Sequence, residues 1–147
     1  MANIPASRKR ALYAPITIKR TPVVNQNIST LQRYVNPAVK VAEGNPRNFG
    51  VLSEEVSSPT QANAILNESI QNNYLRWLQA GQPGKFVDWM RDRWAPLDAS
   101  NDPKNLNYNW APNVRRNLRK QLGPENYRRW KALNIALASQ EDTNAFS

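Results

Sequence analysis

All five tryptophans, Trp77, Trp89, Trp94, Trp110 and Trp130, lie after Thr60, while six of the eleven prolines, Pro5, Pro15, Pro22, Pro37, Pro46 and Pro59, lie before it. Tryptophan buries a very large apolar surface, so its clustering marks where a core can be built. Proline fixes φ and removes a backbone donor, so its clustering marks chain unsuited to regular ladders. The partition predicts a mainly α fold: a small irregular four-helix domain over 58–139, preceded by a long extended basic N-terminal arm over 1–57. Residues 140–147 read as a frayed tail. Within the arm, only short β-like pieces stand out, Ile16-Thr17-Ile18 and Val23-Val24.

Helix signals after residue 57 are specific. Ser58-Pro59-Thr60-Gln61 offers a hydroxyl cap, proline at the first helical position and Gln three residues beyond the cap. Ile65, Leu66, Ile70, Tyr74, Trp77 and Leu78 then recur on one helical face. Gly81 and Pro83 close that helix, placing it at 59–80. A shorter helix over 84–94 uses Phe86, Val87, Trp89, Met90 and Trp94, and Pro96 stops it. The Asp-, Asn-, Ser- and Pro-rich stretch 97–109 reads as a structured loop. Val114, Leu118 and Leu122 form the stripe of a third helix, 110–122. Gly123-Pro124 separates it from a fourth, 124–139, with Tyr127, Trp130, Leu133 and Leu137 on its buried face.

Charge is unevenly spread along the 147 residues, whose formal net charge is +9. Residues 1–42 hold Arg8, Lys9, Arg10, Lys19, Arg20, Arg33 and Lys40 and no acid. Most of the remaining excess lies beyond residue 100. The cluster Arg8, Lys9, Arg10 and the pair Lys19, Arg20 suit phosphate contacts or docking on an acidic protein surface. Arg115, Arg116, Arg119 and Lys120, followed by Arg128, Arg129 and Lys131, crowd the last two helices. Like charges four apart repel on an isolated helix, so an anionic partner is expected to compensate them. The competing reading is a solvated face whose arginine stems cover apolar surface.

The chain has no His and no Cys. That removes disulfides, thiolate nucleophiles, Cys-based zinc sites and His-dependent triads. Asp98 and Asp102 could form an acid pair or cation site. Asx turns and a helix cap explain them, with Asn101, without a metal, since the alternating ligands, central Gly and distal Glu of an EF-hand are missing. Glu68 and Glu125 are isolated carboxylates without a visible constellation. The expectation is a non-enzyme with no catalytic residue, no cofactor and no metal.

No window approaches the ~20 apolar residues of a membrane span. The N-terminal stretch lacks the apolar centre of a secretory signal, and its prolines oppose the amphipathic helix of an organelle transit peptide. At about 3.3 Å per residue, an extended 55-residue arm would reach far beyond a domain of ~90 residues, whose radius of gyration is about 12 Å. Such an arm points to docking on neighbouring subunits.

The run Arg93-Trp94-Ala95-Pro96 to Asn101-Asp102-Pro103, followed by Asn107-Tyr108-Asn109-Trp110, resembles a segment in proteins encoded by tailed bacteriophages. There an aromatic-Ala-Pro run precedes an Asn-Asp-Pro or Asn-Asp-Thr turn, beside cell-wall lytic domains or in small virion proteins. A basic arm on a small helical domain also resembles minor capsid, neck and internal proteins of phage particles. The resemblance implies a multi-copy structural protein of a virion, present in the host cytoplasm during assembly. It would dock on capsid, portal, neck or tail subunits and on copies of itself. Its basic residues would face packaged double-stranded DNA or acidic partners, with no membrane or small-molecule substrate. The alternatives are a DNA-binding, packaging-associated or internal ejected protein, and a cell-wall-active or peptidoglycan-binding module.

Overall fold

The computed structural model describes residues 6–44, 58–97, 99–100, 102 and 104–132, with side chains through Trp130. Among them the chain is mainly helical: α1 (Ala6–Leu12), α2 (Pro22–Glu43), α3 (Pro59–Gln79), α4 (Phe86–Trp94), a 3-10 turn (Leu106–Asn109) and α5 (Trp110–Ala132). After residue 57 three helices are described where four are expected, the third and fourth running together as α5, and two more, α1 and α2, lie in the stretch expected to be an extended arm.

That arm is the principal correction. Residues 22–43 form a 22-residue helix. The Thr21 hydroxyl accepts from the Val24 N–H at 3.2 Å, and Pro22 occupies the first turn, where its missing donor is harmless. Ile28, Leu31, Val35, Ala38 and Val39 are buried, at spacings of three, four, three and one. They form one apolar stripe, which α2 sets against α3 and α5. Pro37 lies inside the helix and gives up the bond its nitrogen would make to the Arg33 carbonyl. Burial of the flanking Asn36, Ala38 and Val39 holds the helix across that gap.

The prolines near the N-terminus act as punctuation rather than as a bar to helix. α1, which contains the Arg8-Lys9-Arg10 cluster, ends before Pro15, and Pro22 starts α2. No strand occurs among the described residues. Ile16 and Ile18 pack partly buried against the core, and Val23-Val24 form the first turn of α2. The described part of 1–57 thus shares one core with 58–132.

Beyond residue 57 the expected starts and stops of α3 and α4 recur within two residues. The Ser58 hydroxyl caps α3 by accepting from the Gln61 N–H at 3.2 Å. The Gln82 N–H returns to the Trp77 carbonyl at 2.8 Å and the Gly81 N–H to Leu78 at 3.0 Å. This paired closure requires the left-handed conformation that Gly81 adopts, φ 87°. α4 starts two residues later than expected, at Phe86. α5 contains the expected break: Gly123 has φ 74° and ψ 166°, and Pro124 restarts the helix.

The core centres on Tyr74, Trp77, Phe86 and Trp89. The Trp77 and Phe86 rings meet at 5.7 Å and 65°, and Tyr74 meets Phe86 at 6.0 Å and 78°. These are edge-to-face arrangements favoured by the ring quadrupoles. Trp77, Trp89, Trp110 and Trp130 are buried, as the core assignment expected, while Trp94 is half-buried. Leu133, Leu137 and the 140–147 tail lie outside the described residues.

Candidate anion-binding surface

The basic side chains fall into two populations. The first is internal. The Arg8 guanidinium meets Asp92 at 2.7 Å, and Arg91 reaches the same carboxylate at 3.0 Å. The Asp92 side chain is 4 % exposed against 35 % for Arg8, so the acid is buried and its partners deliver charge to it. Two guanidiniums on one buried carboxylate supply the compensation that a buried charge needs. Arg8 also lies 5.9 Å from the Trp89 ring centre. Next to it, Arg115 donates to Asp88 at 2.9 Å, tying α5 to α4. Arg8 and Arg115, both expected to face a partner, are therefore engaged within the fold.

Arginines and an amide also hold the segment between α1 and α2. Arg93 donates to the Leu12 carbonyl at 3.0 Å and stacks 4.6 Å from the Tyr13 ring centre. Arg76 donates through Nε to the Ala14 carbonyl at 2.8 Å. Its pKa is lowered from the ordinary guanidinium value, first by burial and then by the Arg93 charge. The Gln79 amide spans the strap: Oε1 accepts from the Thr17 N–H at 2.9 Å, and Nε2 donates to the Pro15 carbonyl at 2.8 Å. An extended segment thereby finds partners for its backbone groups without a strand.

The second population faces outward. Arg116, Lys120 and Arg128 on α5 are exposed, and among the described residues no ion pair joins them to a carboxylate. Arg116 donates only to the neighbouring Asn113 amide, at 3.1 Å. Arg129 is exposed and 3.9 Å from Glu125, itself exposed, a weak contact in water. Arg119 is half-buried, 6.0 Å from the Tyr127 ring centre. Lys9, Arg10, Lys19 and Arg20 are exposed, with Arg20 donating to Asn25 at 2.8 Å. Of the expected contact residues, Lys9, Arg10, Lys19, Arg20, Arg116, Lys120, Arg128 and Arg129 are exposed to an outside anion.

Asp102 has a local role in its loop. Asp102 accepts from the Leu106 N–H at 2.9 Å and from the Asn107 N–H at 2.8 Å, one bond to each carboxylate oxygen. It caps the 3-10 turn, which leads directly into α5. The Asn107 amide donates to the Pro96 carbonyl at 2.7 Å and closes the same loop. Asp98 and Asn101 lie outside the described residues. Glu68 and Glu125 are both exposed.

One carboxylate that the sequence reading passed over is the most unusual in the fold. Glu43, the last residue of α2, accepts from the indole N–H groups of both Trp94 and Trp110, each at 2.9 Å. Burial raises its pKa above 4.5, and the two indole bonds partly oppose that rise. The arrangement joins the ends of α2 and α4 to the start of α5. Sequence separations of 51 and 67 residues left no local signal for it. Among the described residues no group of three or more potential metal ligands occurs, and no helix is long and apolar enough to cross a membrane.

A groove of about 390 Å³ opens between α2 and α5. Tyr34 and Trp130 form its aromatic side, with ring centres 5.6 Å apart and planes at 90°. Gln26, Asn126 and Arg129 supply its exposed polar rim. Arg33 stacks on Tyr34 at 5.4 Å. Comparison with known protein families, characterised proteins and solved structures finds no match to this chain.

Proposed function

We propose that the chain is a non-enzymatic structural protein of a bacteriophage particle that binds double-stranded DNA through the outward bases of α5. The observation that supports this reading most is the division of the arginines. The fold provides carboxylates for Arg8, Arg91 and Arg115, while Arg116, Lys120 and Arg128 are exposed with no ion pair to a carboxylate among the described residues. Bases placed in this way can neutralise phosphates and release condensed counterions without any rearrangement of the core. Lys9, Arg10, Lys19 and Arg20 supply further cationic surface for DNA or for acidic subunits of the particle. The phage assignment rests on the resemblance carried by Trp94 to Trp110. Multi-copy assembly with itself and with other virion proteins belongs to the same reading. It no longer depends on an extended arm, because α2 lies within the fold.

Two features weigh against a cell-wall-active module. Asp102 spends both oxygens on its own turn. The absence of His and Cys also removes thiol- and His-dependent amidase or peptidase chemistry, leaving only a carboxylate mechanism for such a module.

The test is duplex DNA binding as a function of salt. The triple variant Arg116→Ala/Lys120→Ala/Arg128→Ala should bind more weakly and lose about 0.9 of the log-log salt slope for each phosphate contact removed. Its thermal unfolding should match the parent. An unchanged slope with intact folding overturns the reading.

A further inference from the structure

We infer that the α2–α5 groove is a binding site for a single unpaired nucleotide, distinct from the α5 bases that face duplex phosphates. This inference deepens the nucleic-acid reading above and rests on it for its biological setting, while the site itself stands on groove geometry. The volume, about 390 Å³, suits one nucleoside rather than a helix or peptide strand. Among the described residues no acid lines it and Arg129 is its one ionic lining residue, so the charge favours a neutral or anionic ligand.

The polar lining is dominated by side-chain amides. Asn27 donates one amide hydrogen to the Tyr74 hydroxyl at 2.9 Å, which fixes it to the floor. Thr30 is turned back to the Gln26 carbonyl at 3.0 Å. The Gln26 and Asn126 amides, both exposed, stand on opposite helices of the groove. An amide offers a donor and an acceptor side by side, the complement of a base edge. The Watson–Crick edge is reachable only when the base is unpaired, whereas a duplex offers only its groove edges. Tyr34, half-buried and backed edge-to-face by the buried Trp130, gives an aromatic contact for the base, and Arg129 stands at the rim where a phosphate would lie.

The groove therefore reads a base edge and one phosphate together. Inorganic phosphate alone would engage only Arg129, and a duplex would present no free Watson–Crick edge to Gln26 or Asn126.

The experiment is an NMR titration of the full ¹⁵N-labelled chain with three probes: a ten-nucleotide oligothymidylate, a duplex of equal charge, and inorganic phosphate. The oligothymidylate should shift the Trp130 indole and the Gln26 and Asn126 side-chain amides, with the duplex and phosphate leaving these signals in place. Asn126→Ala/Arg129→Ala should weaken oligothymidylate binding by about tenfold or more. Gln26→Ala, on the other wall, should weaken it independently. All three positions are exposed, and matching thermal unfolding confirms the fold.

Retained oligothymidylate affinity in both variants overturns the site. Equal shifts with phosphate overturn it in favour of simple anion binding at Arg129. Equal shifts with the duplex overturn the requirement for an unpaired base. The α5 triple variant separates the two proposals: it should lose duplex binding and keep the Trp130 shift. A chain that binds oligothymidylate in the groove but no duplex refutes the duplex reading and leaves the groove site standing.

Discussion

α2 and α3 are near twins in length, 22 and 21 residues, and in how they begin. A hydroxyl residue caps each, proline follows, and the cap accepts a backbone N–H three residues on at the same 3.2 Å. They differ in what they bury. α3 presents Leu66, Ile70, Tyr74 and Trp77, large residues at clear helical spacing. α2 presents Ile28, Leu31, Val35, Ala38 and Val39, smaller and partly β-branched, with a proline in the middle. One helix declares itself by propensity and size. The other is fixed chiefly by what packs on it, as helices in proteins commonly are.

The largest effect should come from cutting between them. A chain beginning at residue 58 loses α1 and α2 and exposes the faces of α3 and α5 that α2 covers. It should fail to unfold cooperatively, shown by a shallow urea transition and loss of near-ultraviolet circular dichroism. A sharp transition matching the full chain would restore the picture of an independent 58–139 domain and break the equivalence of α2 and α3.

Single truncations sharpen the same point. Trp77→Ala should destabilise by about 3–5 kcal/mol and Leu31→Ala by about 2–5 kcal/mol, since both side chains are fully buried. Denaturant midpoints at unchanged m-value test this. A near-zero change at Leu31 would mean that α2 is only loosely attached to the core.

These two positions also show how much was legible beforehand. The caps, the stripe of α3, the glycine closure at Gly81 and the break at Gly123-Pro124 are local patterns, and each recurs in the structure. Thr21-Pro22 carries the same start signal as Ser58-Pro59. It was masked by the density of proline around it and by a stripe without aromatics. Paired arginines were legible only as charge. Arg8 and Asp92 stand 84 positions apart, and nothing local distinguishes Arg8, bound to a buried acid, from Lys9, which faces water. The α2–α5 groove has no local signature for the same reason, because α2, one of its walls, carries no helix signal beyond its first turn that its prolines do not obscure.

Glu43 probes the junction where α2 ends. Glu43→Leu removes the acceptor of two indole N–H groups and should cost about 1–3 kcal/mol. Glu43→Gln keeps an acceptor and removes the charge that burial penalises. Because the folded-state pKa is raised, the penalty is present at neutral pH, falls as pH drops through that pKa, and is gone below the unfolded value near 4.5. The parent should therefore gain stability relative to Glu43→Gln as pH is lowered from 7 toward 4.5. Parallel pH–stability curves for the two proteins would show that the Glu43 carboxylate does not titrate differently on folding.

The smallest effect compares the helix starts directly. Thr21→Ala and Ser58→Ala should each cost about 1 kcal/mol, because each deletes one acceptor for an otherwise orphaned helix N–H. The sites share no partner, so the double variant should lose the sum to within about 0.5 kcal/mol. Urea midpoints of the three variants decide it. Equal single costs would show that both helices are anchored at their first turn as well as along their faces. A full cost at Ser58 with none at Thr21 would mean that the first turn of α2 frays in solution. Its hold on the core would then begin near Ile28, the first buried residue of its stripe. In that case the twin beginnings would be a likeness of sequence only, and the helices would differ in anchoring as they differ in what they bury.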